Sequence, residues 1–95
     1  MNKLLVINSG SATLKFKVFS LSSLKEEIGG MVERIGLKGS FLSIKSPKGK
    51  FIKKYPLGLK NHGLALKEII FQIRDILPEI GLVGHRVVHG GGVFH

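Results

Sequence analysis

No cysteine occurs among the 95 residues, so disulfides, thiolate zinc sites and cysteine nucleophiles are all excluded. Acidic residues are scarce, six against 15 lysines and arginines, and the formal net charge is +9. No apolar run is long enough to cross a bilayer. The start, Met1-Asn2-Lys3 followed by four apolar residues, is too short for the apolar region of a signal peptide. A cytoplasmic location without membrane contact is the expectation. What is present, 43% hydrophobic and 22% charged residues, is globular and not disordered. A chain of this length makes at most one domain and buries roughly 60 to 65% of its unfolded surface.

The positive charge is unevenly spread. Lys45, Lys48, Lys50, Lys53 and Lys54 fall within ten positions around Ser46-Pro47-Lys48-Gly49, which has the form of a β-turn with Pro second and Gly fourth. Such lysines commonly guard a peripheral hairpin against edge-to-edge pairing. A nucleic-acid surface would need clustered cations on a helix or an aromatic-rich sheet motif, and neither is present.

Leu4-Leu5-Val6-Ile7 reads as a short buried strand, stopped by the small residues Asn8 to Thr13. After the turn, Leu14, Phe16 and Val18 alternate with Lys15, Lys17 and Phe19, giving a second strand with one apolar face. Asn8, Ser9, Ser11 and Thr13 offer oxygens and amides, and Gly10 lets a backbone approach a bulky anion. The residues alone allow either an anion-binding turn or a polar hairpin with a solvated lysine. A P-loop is excluded. No glycine directly precedes Lys15, Phe16 follows it where a hydroxyl should hold Mg²⁺, and the chain continues as a strand instead of a helix.

Further along, Lys25 to Ile35 predicts a third antiparallel strand with a bulge or bend at Gly29-Gly30. Gly36 to Ser40 turns the chain into a hairpin of Phe41–Ile44 with Phe51-Ile52, which Pro56 and Gly58 end. Asn61 caps a helix in which Leu66, Ile69, Ile70, Ile73 and Leu77 recur at helical spacing, and Pro78 stops it. Leu82 to His89 is a last strand, able to lie parallel to the first because a helix precedes it. The order implies an α/β mixed sheet covered by a helix on at least one face.

In that last strand Arg86 and Val88 share a face, with His85, Val87 and His89 on the other. Arg86 could grip a carboxylate or phosphate bidentately while Val88 lines the carbon end of a small acid; equally, the two could be a surface arginine beside a core valine. His85 and His89 are four apart, but a zinc-protease pair needs a helix and a glutamate where Arg86 stands. No metal is expected on the histidines.

Val6-Ile7-Asn8-Ser9-Gly10-Ser11-Ala12-Thr13-Leu14-Lys15 closely resembles the N-terminal signature of acetate kinases. Val83-Gly84-His85-Arg86-Val87-Val88-His89-Gly90-Gly91 is similar to their next block, and Gly30 to Gly36 and Asn61-His62 fit between. The resemblance implies a ribonuclease H-like sheet of the actin and hexokinase type, here residues 1–95 of an incomplete N-terminal domain. It also implies reversible, Mg²⁺-dependent transfer of the ATP γ-phosphoryl group to acetate, giving ADP and acetyl phosphate. On that match Asn8 lies near the metal, and Ser11, Thr13 and Lys15 lie on the phosphate side. Arg86 holds the carboxylate and the group in flight, and Val88 walls the methyl pocket. Ala12 departs from the usual hydroxyl of the turn and Gly92 from a commonly acidic residue. The family's enzymes are longer, two-domain and usually dimeric, so an inactive, self-associating piece is expected. A propionate or butyrate kinase piece and a small basic nucleic-acid-binding domain are the alternatives.

Overall fold

The computed structural model describes residues 2–46, 49–54, 59–89 and 93–94, with backbone only at 50–54, 87–89 and 93–94. Its elements are β1 (Lys3–Ser9), β2 (Leu14–Ser20), β3 (Glu26–Glu33), β4 (Phe41–Ser46), β5 (Gly49–Lys54), α1 (His62–Gln72), a short 3-10 turn (Leu77–Glu79), β6 (Ile80–His89) and β7 (Val93–Phe94). They form one sheet in the order β5-β4-β3-β2-β1-β6-β7. The first five strands pair antiparallel in four joined hairpins. β6 pairs with β1 in parallel, which α1 permits by carrying the chain back to the start of β1.

Period-2 patterning decides which face is buried. Leu5 and Ile7 of β1, Leu14, Phe16 and Val18 of β2, Val32 of β3 and Leu42 of β4 are all buried. Ala65, Ile69 and Ile73, spaced by one helical turn each, close this core from α1. Fully burying each isoleucine is worth about 1.5–3 kcal/mol, enough to hold a helix of three turns that is marginal alone. The Asn61 side chain accepts from the Leu64 amide at 2.9 Å, as expected of the N-cap. Ser40, fully buried, accepts from the Leu59 amide at 2.6 Å and so fixes the approach to α1.

Two expectations are corrected. The helix ends at Gln72 and not at Pro78, and Ile73 forms its C-cap. Proline at 78 would clash with the Arg74 carbonyl in a continued helix and disfavours helical geometry at Leu77, so the chain turns through Ile76 into the 3-10 turn. Nor does a bulge fall at Gly29-Gly30, since both stay in register with β2 and β4. The irregularity lies beside them, where Val18 pairs with Ile28 but Phe19 pairs with Glu26. Gly30 has a different duty: a Cβ there would stand 2.5 Å from Phe16 Cε1 and 2.6 Å from the Ser43 carbonyl. The glycine makes room for the Phe16 ring.

The bulge lets consecutive carboxylates serve different partners. Glu26 pairs with Lys17 at 3.4 Å, whereas Glu27 bonds Lys3, which also lies 3.9 Å from Glu79 of the 3-10 turn. The hydrogen bond to Glu27 holds the Lys3 ammonium above its ordinary 10.5, desolvation opposes this, and the charges of Glu27 and Glu79 add to the rise. A raised ammonium stabilises the fold below its unfolded value and loses that contribution as the pH rises through its folded value. The urea midpoints of wild type and Lys3→Met should therefore differ at neutral pH and converge above pH 10.5. A difference that persists unchanged there would assign Lys3 a packing role only.

The lysine-rich hairpin is β4–β5, and β5 is the terminal strand of the sheet. Lys50, Lys53 and Lys54 therefore stand on an edge, where like charge opposes pairing with a second sheet. Pro47, Lys48, Pro56 and Gly58 lie outside the described residues.

Candidate functional site

The register of β1 brings the chemistry-bearing residues together. Asn8 pairs with Lys15 on one side and Arg86 on the other. Cα-paired residues share a sheet face, so Lys15, Asn8 and Arg86 form a row across three adjacent strands, spanning about 10 Å between the outer two. This face is opposite the one that α1 covers, because Ile7 and Phe16, one position along, point into the core. Asn8 is half-buried and both cations are exposed. A neutral amide flanked by a guanidinium and an ammonium is suited to spread negative charge, such as a carboxylate meeting a phosphoryl group.

The row abuts the turn between β1 and β2. The Gly10 amide donates to the Thr13 carbonyl at 2.9 Å, closing a loop whose two central residues are Ser11 and Ala12. Ser11 is exposed and Thr13 half-buried. A Cβ on Gly10 would come within 2.6 Å of Thr13 Oγ1, so glycine here gives the threonine hydroxyl its space. The Ala12 carbonyl accepts from the Ile35 amide at 2.9 Å, tying the turn to the end of β3.

Nothing in the residue pattern gives His62 a role, and the structure supplies one. Its Nε2 lies 2.6 Å from the Gly10 carbonyl and 3.1 Å from the Thr13 carbonyl, joining the start of α1 to the turn. The only prior signal was the Asn61-His62 pair, at an N-cap. Behind the turn, on the α1 side, His62 lines a cavity of about 360 Å³ with Ile7, Ser9, Leu66, Val83 and His85. There His85 Nε2 meets Ser9 Oγ at 3.3 Å. Among the described residues no group of three or more His, Asp or Glu could hold a metal. The Val88 and His89 side chains, Gly90 to Gly92 and His95 lie outside the described residues.

The family model for acetokinases matches residues 3–95. The chain belongs to the acetokinase family. An acetate kinase of Coprothermobacter proteolyticus is 43% identical over 101 aligned positions, covering 97% of this chain and 24% of that protein. One from Borreliella burgdorferi is 35% identical over 96 positions, covering 94% and 24%. Among solved structures, the acetate kinase of Porphyromonas gingivalis superposes with a TM-score of 0.82 at 33% identity, over 96% of this chain and 24% of that one. A propionate kinase from Francisella tularensis gives 0.75 at 32% identity, over 96% and 23%. The chain thus spans about a quarter of the length of the curated relatives it matches. Its sheet is the ribonuclease H-like N-terminal fold of this family, incomplete in extent, and its sequence corresponds to an N-terminal portion of an acetokinase. The nucleic-acid-binding alternative is not favoured.

Proposed function

We propose that this acetokinase chain supplies the phosphate-facing and carboxylate-facing side of an acetate kinase site, in which the γ-phosphoryl group of ATP passes reversibly to acetate. A carboxylate oxygen forms the new bond to phosphorus as the bond to the β-phosphate bridge breaks, leaving acetyl phosphate and ADP. The observation that carries this is the row Lys15–Asn8–Arg86 beside the Gly10–Thr13 turn. Little covalent work falls to the protein in phosphoryl transfer, which depends on positioning and charge neutralisation.

In this reading the Arg86 guanidinium grips the carboxylate and the transferring phosphoryl oxygens. Lys15, with the Ser11 and Thr13 hydroxyls, holds the nucleotide phosphates, and Val88 bounds the methyl end. Acetate is proposed over propionate and butyrate, the relatives by sequence above being acetate kinases. The donor set fits Mg²⁺ in a limited way. Asn8 supplies one hard, neutral oxygen, which suits an ion that keeps several waters and takes its charge from substrate phosphates. Mg²⁺ bound there would offset phosphate charge, and Asn8 is the residue that would hold it. Cytoplasmic residence and a dimeric complete enzyme belong to the same proposal.

Titrating the ¹⁵N-labelled chain with inorganic phosphate tests the phosphate side. Amide signals of Gly10 to Lys15 should move with a millimolar midpoint, about −4 kcal/mol, as fits a site built from one side only. Shifts confined to the lysine hairpin at β4–β5, with the turn unmoved, would contradict the assignment.

A further inference from the structure

The bonds at the turn differ sharply between its carbonyls and its amides. Both partners of His62 Nε2 are carbonyl oxygens, which only accept, so Nε2 carries the proton and donates to Gly10 and Thr13 together. Thr13 O also takes the Gly10 amide, and Ala12 O takes the Ile35 amide. Three carbonyls of the turn are thus bonded by donors from within the fold. Among the described residues nothing accepts from the amides of Ser11 or Ala12. A carbonyl oxygen repels an anion and an amide attracts it, so a turn in this condition favours negative charge at its open side.

We infer that His62 is a positioning residue for this turn. Its Nε2–H holds the Gly10 and Thr13 carbonyls back against α1, leaving the Ser11 and Ala12 amides to the phosphoryl group. The inference deepens the phosphate-side reading above and rests on it. His62 is suited to the task because its own backbone is fixed. It directly follows the N-cap, and the helix it opens is docked through the fully buried Ala65 and Ile69. The contact spans 52 and 49 residues in sequence, so the fold itself sets the turn's geometry.

The test compares the ¹⁵N-labelled chain with His62→Leu and His62→Gln, each titrated with inorganic phosphate. Ring nitrogen shifts of the wild type should report the Nε2–H tautomer. His62→Leu should weaken phosphate binding at Ser11 to Lys15 by about tenfold, the scale of a lost hydrogen bond. His62→Gln, whose side-chain amide can donate from a similar place, should restore most of it. Amides of Ala65, Ile69 and Ile73 report whether α1 stays docked in each variant. An Nδ1–H tautomer in the wild type overturns the inference without need of any variant. So does phosphate binding that His62→Leu leaves unchanged while the wild-type turn responds. If the wild-type turn itself shows no response to phosphate, the phosphate-side reading fails and takes this one with it.

Discussion

Arg86→Ala, made in a complete acetokinase that carries this N-terminal sequence, should lower turnover by about 10³-fold, equivalent to about 4 kcal/mol of transition-state stabilisation. The size follows from where Arg86 stands. β6 runs parallel to β1 and sets Arg86 level with Asn8, two strands from Lys15, so its fork can meet charge that develops between acid and phosphoryl oxygens. Lysine at this position should recover little, because an ammonium cannot hold two oxygens in one plane. Steady-state kinetics with acetate and ATP varied separately would show the loss chiefly in kcat if the contact tightens in the transition state. A variant keeping most of its turnover would take Arg86 out of the catalytic set and leave it an exposed strand residue.

The second large effect is the absence of turnover in residues 1–95 by themselves. Phosphoryl transfer needs the nucleotide, the metal and the acid held together, and a misplacement of about 1 Å can cost about 10²-fold. The described residues offer an arginine, a lysine, an amide and one turn, all on a single sheet face or its margin. They form one wall. The isolated chain should also self-associate, since Phe71, Leu82 and Val83 are each more than half exposed. Hydroxamate trapping of acetyl phosphate, run beside size-exclusion chromatography at several concentrations, checks both expectations. Sustained acetyl phosphate formation by a concentration-independent monomer would refute them.

The elements that repeat a simple period were legible in the sequence. Leu14, Phe16 and Val18 alternate with polar partners and lie in the core, and Asn61 caps α1 through its own side chain. The parallel placement of β6 followed from a helix standing before it. Features that depend on residues far apart were not legible. The Gly29-Gly30 pair looked like a bulge or bend because glycine is weak in strands, whereas Gly30 makes room for a phenylalanine ring from another strand. The helix end was misplaced because Leu77 continues the apolar period of α1, and periodicity carries no record of the strain that Pro78 imposes upstream. His62 could not be assigned because its partners are backbone carbonyls, which every residue has. At the candidate site, Asn8, Lys15 and Arg86 were each visible as residue types, but only the strand register sets them side by side.

The most direct test replaces the matching N-terminal quarter of the Coprothermobacter proteolyticus acetate kinase, which is 43% identical here, with residues 1–95. Acetyl phosphate formation by the folded chimaera is then measured with and without Arg86→Ala. The account predicts turnover within about tenfold of the parent and a loss of about 10³-fold on the substitution. A chimaera that folds as the parent does yet makes no acetyl phosphate, or one that is indifferent to Arg86→Ala, would contradict it.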